Sequence, residues 1–234
     1  MPAHSLPGHL VSSPQLSVRG VIFDMDGLLL NSGALAIEAQ MRAGRDLGHN
    51  LSRSFCVHMI GLVEGRYASK MRETFGEDFP AEELFALQAQ YMKYYLEEGR
   101  LRIKQGVLPL LDLLDTRHIP RAIVTSSGWE EARNQLRHVS LIERFDAIVT
   151  REDVVHGTPD AETYLVASSR IGVVPELCLV LEDSTSGASS ALAAGMRVIV
   201  VPDLTELTPE VREEALAIVS DLTVVQDYVA RYGR

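Results

Sequence analysis

The sequence predicts an α/β protein: a doubly wound parallel-sheet core with an α-helical cap domain inserted after the first strand. Two observations carry this expectation. Short apolar runs alternate with helical stretches through the second half of the chain, and a long block before them has helical spacing with no strand-like run. Alternating strands and helices imply a parallel sheet covered on both faces.

The elements follow in order. Residues 18–24 form an apolar run that reads as the first strand, buried on both faces. Residues 33–48 carry helical spacing through Leu35, Ala36, Ala39, Ala43 and Leu47. From 52 to about 102 the pattern stays helical, with Pro80 followed by Glu82 and Glu83 as a helix start. Beyond Gly106 the reading is helix 108–116, strand 119–124, helix 129–138, strand 145–149 and helix 161–171. Strand 177–181, helix 188–194 stopped by Gly195, and strand 197–201 ended by Pro202 complete it. The expected division is a flexible leader over 1–17, a core from 18–32 and 104–234, and a cap over 33–103. The leader is rich in proline and serine and lacks the basic start and apolar centre of a secretory signal.

Composition narrows the function. Of 234 residues, 46% are hydrophobic, and 32 acids against 22 bases give a net charge of −10. That balance disfavours nucleic acid, whose phosphates call for a basic face. A small phosphorylated metabolite remains an acceptable partner, because a few local donors and a metal suffice. Cys56 and Cys178 are isolated, which suits buried small hydrophobes in a reducing, cytoplasmic setting rather than a disulfide framework. No apolar run approaches the ~20 residues that span a bilayer. No coiled-coil repeat appears, so the expected state is a monomer or weak homodimer.

Three predicted strands end in polar clusters: Asp24-Met25-Asp26-Gly27, Thr125-Ser126-Ser127, and Glu182-Asp183-Ser184. In a parallel sheet all three fall on the carboxyl edge, where open α/β sheets bind ligands. Singly, each could be a turn or a helix cap. Together they place four carboxylates and several hydroxyls on one edge, an oxygen-rich set that suits Mg²⁺ rather than zinc. Carboxylates so close call for a compensating cation. The chemistry implied is phosphoryl transfer through an aspartyl-phosphate.

Those residues resemble the haloacid dehalogenase (HAD) superfamily, and within it the phosphatases and mutases related to β-phosphoglucomutase and phosphoglycolate phosphatase. Phe23-Asp24-Met25-Asp26-Gly27-Leu28-Leu29 is similar to the first family motif, Val124-Thr125-Ser126-Ser127 to the second, and Leu181-Glu182-Asp183-Ser184 to the fourth. The resemblance implies a Rossmann-like HAD core. It makes Asp24 the nucleophile and a metal ligand. Asp26 becomes the general acid/base, lending its backbone carbonyl to Mg²⁺. Thr125 holds the phosphoryl group, with backbone contact from Ser126 and Gly27. Asp183 ligates the metal, and Glu182 is a ligand or supports one.

The third motif departs from the family. In Gly157-Thr158-Pro159-Asp160-Ala161-Glu162-Thr163-Tyr164, the catalytic lysine position holds Thr158, a hydrogen-bond donor without charge. The chain has three lysines, Lys70, Lys93 and Lys104, none near this segment in sequence. Three explanations stay open: Arg151 or His156 substitutes, the enzyme is slow, or the protein binds phosphate without turning it over. Ala36 stands where the related mutases carry a histidine, favouring hydrolysis over mutase chemistry. Arg66, in the expected cap, is a substrate-contact candidate beside the plainer reading of a solvated helix start. The resulting expectation is a Mg²⁺-dependent phosphatase of a sugar phosphate or phosphoglycolate-like metabolite. The alternatives are an impaired phosphometabolite-binding protein or a phosphomutase. A metal-free dehalogenase is disfavoured by Glu182-Asp183.

Overall fold

The computed structural model describes residues 17–60 and 64–234. The expected leader, apart from residue 17, and the cap segment 61–63 lie outside the described residues.

Six parallel strands form one sheet in the order β3-β2-β1-β4-β5-β6. They are β1 (Gly20–Asp24), β2 (Arg121–Val124), β3 (Ala147–Val149), β4 (Cys178–Glu182), β5 (Arg197–Val200) and the two-residue β6 (Ala217–Ile218). Alternation along the strands splits the core into two layers. Val21, Phe23, Ile123, Leu179 and Leu181 face one layer; Ile22, Ala122, Val124, Val180, Val198 and Val200 face the other. Both faces are covered, which is why these strands read as continuous apolar runs instead of alternating ones.

Between β1 and β2 the chain forms α1 (Ser32–Asp46), α2 (Arg53–His58), α3 (Glu64–Phe75), α4 (Ala81–Glu97) and α5 (Val107–Thr116). The first four build a separate apolar cluster that includes Ile37, Leu51, Cys56, Met71, Phe79 and Leu84. This is the helical insertion expected from the sequence. The chain leaves and re-enters the core side by side: Leu30 bridges Ile103, and the Asn31 side chain accepts from the Arg102 N–H at 2.8 Å. The later helices are α6 (Trp129–His138), α7 (Glu162–Arg170), α8 (Thr185–Ala193), α9 (Pro209–Glu214) and α10 (Leu222–Tyr232). Beyond the expected strand 197–201 the structure adds α9, β6 and α10. Of these, α10 packs against α5 and places Val225 and Val229 in the same layer as Val21. Both cysteines are free and buried. No helix among the described residues is long and apolar enough to cross a membrane.

Gly106, the residue before α5, has φ +84°, and a Cβ there would stand 2.3 Å from the Thr223 backbone nitrogen at the start of α10. Gly106→Ala therefore meets both a left-handed backbone and a backbone clash. It should lower unfolding stability by about 2–4 kcal/mol, read from denaturant midpoints at unchanged m-value. An unchanged midpoint would show that the α5–α10 contact yields freely.

Candidate active site

The strand order reverses direction between β1 and β4, and their carboxyl ends open the crevice where such sheets bind ligands. Register puts the acidic residues there. Phe23 pairs with Leu181, so the next residues, Asp24 and Glu182, emerge side by side; Asp24 pairs with Val124, so Thr125 follows on the other flank.

Asp24 sits at the end of β1 with its Oδ2 buried and without a hydrogen-bond partner. Burial first, then the charges of Glu182, Asp183 and Asp26, push its carboxyl well above the usual range. Asp26 is held by three hydroxyls: Ser32 donates to Oδ1 at 2.6 Å, and Thr125 and Ser127 donate to Oδ2 at 2.9 and 3.2 Å. Thr125 is itself fixed by accepting from the Ser127 N–H at 3.0 Å. Gly27 has φ +93°, and a Cβ on it would lie 2.2 Å from Asp183 Oδ2. Glycine is what lets the Asp26–Gly27 backbone approach Asp183 so closely.

Glu182 is 2% exposed and both its oxygens are in use. Tyr164 donates to Oε1 at 2.6 Å, while the Asp183 and Ser184 N–H groups and the Ser184 hydroxyl all donate to Oε2 at 3.0 Å. Burial raises its carboxyl against these hydrogen bonds. Ser184 also caps α8 by accepting from the Gly187 N–H at 3.1 Å. Asp183 is pushed up to about 8 by burial, Glu182 and Asp203, against the pull of Lys104.

The structure thus gathers Asp24, Asp26, Gly27, Thr125, Glu182 and Asp183. Ser126 is exposed at the turn after β2. Thr158 lies exposed in the loop before α7, and Arg66 exposed on α3. No hydrogen bond or ion pair among the described residues joins either to the carboxylates. Of the two expected substitutes for the missing lysine, His156 is exposed, with its backbone N–H bonded to Glu162 at 2.7 Å. Arg151, also exposed, lies nearer: its Nη2 would be 3.3 Å from a Cβ on Gly128, and its charge acts on Glu131. Sequence reasoning missed Ser32, Tyr164, Lys104 and Asp203, and left Ser127 without a role.

No three His, Cys, Asp or Glu side chains among the described residues form a finished metal cage. The donor set is instead all oxygen, with repelling carboxylates and an orphaned buried oxygen on Asp24. That fits a hard cation such as Mg²⁺, which keeps several waters and takes one or two carboxylates together with substrate oxygens.

Fold and site together define a hydrolase built on a split α/β core. The haloacid dehalogenase-like hydrolase family matches residues 21–201, and the chain belongs to it. A phosphorylated carbohydrates phosphatase of Thermotoga maritima is 32% identical over 182 residues, 78% of this chain and 84% of that protein. A fructose-1-phosphate phosphatase of Escherichia coli is 29% identical over 182 residues, 77% of this chain and 94% of that one. A crystal structure of a putative β-phosphoglucomutase from Thermotoga maritima superposes with TM-score 0.77 at 28% identity, covering 92% of this chain and 99% of the other. Membership of the family implies the usual Mg²⁺ dependence.

The raised carboxyls set a pH dependence. Asp24, Glu182 and Asp183 keep protons in the folded state at pH values where the unfolded chain has released them. Metal-free protein should therefore lose stability as pH climbs from the ordinary carboxylate range through about 8, by up to about 1.4 kcal/mol per pH unit per proton. Melting in EDTA should occur at lower temperature at about pH 8 than at about pH 5, and Mg²⁺ should raise the melting point more at the upper value. A melting point in EDTA that is level or rises with pH would refute the crowding of these carboxylates.

Proposed function

We propose that the chain is a Mg²⁺-dependent phosphatase of small phosphorylated metabolites, sugar or polyol phosphates foremost, working through an aspartyl-phosphate on Asp24. The observation that carries this reading is the unpartnered, buried Asp24 Oδ2 at the switch point of the sheet, beside Asp26 and Asp183. The phosphatase names of the Thermotoga maritima and Escherichia coli relatives support the substrate class.

In this reading an Asp24 carboxylate oxygen bonds to phosphorus as the ester P–O bond breaks. Asp26, oriented by Ser32, Thr125 and Ser127, gives a proton to the departing alkoxide. It then takes a proton from the water that attacks the aspartyl-phosphate, releasing orthophosphate and restoring Asp24. Asp24, Asp183 and the Asp26 carbonyl would hold Mg²⁺, which neutralises charge so that Asp24 attacks as a carboxylate. Glu182 cannot turn freely toward a metal, since four donors hold its oxygens; its part is to fix the Asp183 backbone.

The exposed, uncharged Thr158 favours one second reading, phosphate binding without turnover. Phosphate release from a panel of hexose, hexitol and pentose phosphates and phosphoglycolate separates the two. The expected outcome is turnover that needs Mg²⁺, is lost in EDTA, and falls about 10³-fold or more in Asp24→Asn. Turnover that survives Asp24→Asn would remove the aspartyl-phosphate. Orthophosphate binding with no turnover on any ester would select the binding protein.

A further inference from the structure

The acidic cluster has one positive neighbour that its sequence position conceals. Of the charged groups acting most strongly on Asp183, Lys104 alone is positive. Its Nζ donates to the Gly27 carbonyl and, at 2.7 Å, to Asp203 Oδ1. The two side chains of that ion pair are only 25% and 22% exposed, so water screens this charge less than it screens a surface pair. An ammonium has three donors, and two are engaged, which leaves one for an anion.

Lys104 is also firmly placed. It stands where the chain returns from the cap: its N–H donates to the Leu29 carbonyl at 2.9 Å, and Ile103 before it bridges Leu30. The segment that carries it is therefore pinned to the loop that carries Asp26 and Gly27. Gly27 in turn packs on Asp183 and Asp203, with a Cβ there lying 2.2 Å from one carboxylate and 3.3 Å from the other. The ammonium, the Gly27 carbonyl and both carboxylates share one small volume.

We propose that Lys104 is the fixed cation of this site. Held by the cap–core connection, it lowers the net charge of the carboxylate cluster and draws in the phosphate group of the substrate. This deepens the phosphatase reading and rests on it. Its part is then distinct from a simple tie between Gly27 and Asp203.

A charge and a tie make opposite predictions. Losing a tie loosens the Gly27 loop and weakens Mg²⁺ and orthophosphate binding together. Losing a positive charge strengthens the binding of a cation and weakens that of an anion. Calorimetry on the full chain reads both, with Mg²⁺ alone and with orthophosphate at saturating Mg²⁺. For Lys104→Met we expect an orthophosphate Kd about tenfold higher and a Mg²⁺ Kd several-fold lower. Lys104→Gln, which keeps a donor but not the charge, should show the same pair of signs and serves if the methionine variant does not fold. Lys104→Arg should stay near wild type in both. An unchanged orthophosphate Kd in the neutral variants, or both affinities weakening together, would overturn the proposal. If the neutral variants show this pattern while wild type hydrolyses no ester, the phosphatase reading falls and Lys104 keeps its role as the cation that draws in phosphate. A wild type that turns over while the neutral variants keep full orthophosphate affinity would do the reverse, and a wild type that turns over yet binds no orthophosphate would likewise overturn the Lys104 proposal alone.

Discussion

Asp24, Asp183 and Glu182 are crowded into one desolvated crevice, and much of the surrounding structure is organised around the repulsion this creates. Each is raised first by burial. Isolated carboxylates so placed would simply stay protonated. The acids of this edge are met differently. Glu182 receives four hydrogen-bond donors, two of them backbone amides at the start of α8, where the helix dipole also favours negative charge. Asp26 receives three hydroxyls from two different segments. Asp24 keeps one oxygen with no protein partner at all. The group left unsatisfied is the one proposed to attack phosphorus, while those around it are fixed.

This arrangement needs a rigid frame and close backbone approach. The frame is the central trio of strands, whose one-to-one register leaves Asp24, Glu182 and Thr125 at adjacent strand ends. Close approach comes from glycine. At Gly27 any side chain would collide with Asp183, and at Gly187 a Cβ would fall 1.7 Å from Glu182 Oε1, so α8 can dock against the glutamate only without one. The cap is attached differently. It has an apolar core of its own and meets the site's loop through the paired passages around Leu30 and Ile103. The placement of cap residues such as Arg66 is therefore set by the packing of the cap, whereas that of Asp24, Thr125 and Glu182 is set by the sheet.

How much of this was legible in the sequence depends on range. The central strands were readable because burial on both faces leaves them as unbroken apolar runs. The two-residue β6 offers no period to read. The Leu222–Tyr232 helix does carry apolar spacing at Leu222, Val225 and Val229, and was legible in principle. In the site, Asp24, Asp26, Thr125, Glu182 and Asp183 stood out because each lies within a residue or two of a strand end. Ser32 and Tyr164 act across elements, the latter 18 residues from Glu182. Lys104 is 77 residues from the carbonyl it bonds. No local pattern marks such residues, because only the fold creates their neighbours.

The same physics explains why stability and function pull against each other here. A sheet edge built for stability alone would replace these acids with apolar or neutral side chains, since burying unpaired charge is among the costlier things a core can do. Keeping them means that the empty site stores repulsion, and that anything neutralising it binds with an advantage equal to the repulsion relieved. A cation held as proposed relieves Asp24 and Asp183 directly. In the proposed reading a phosphate, itself an anion, gains nothing from the carboxylates and depends on what opposes them: a bound cation and the ammonium of Lys104. Cation and phosphate binding at this edge, as proposed, are consequently coupled through charge, the first creating the conditions for the second. The exposed, neutral Thr158 makes no hydrogen bond to these carboxylates, and in the proposed reading the positive side of the balance falls to Lys104, which the fold rather than the local motif brings to the edge.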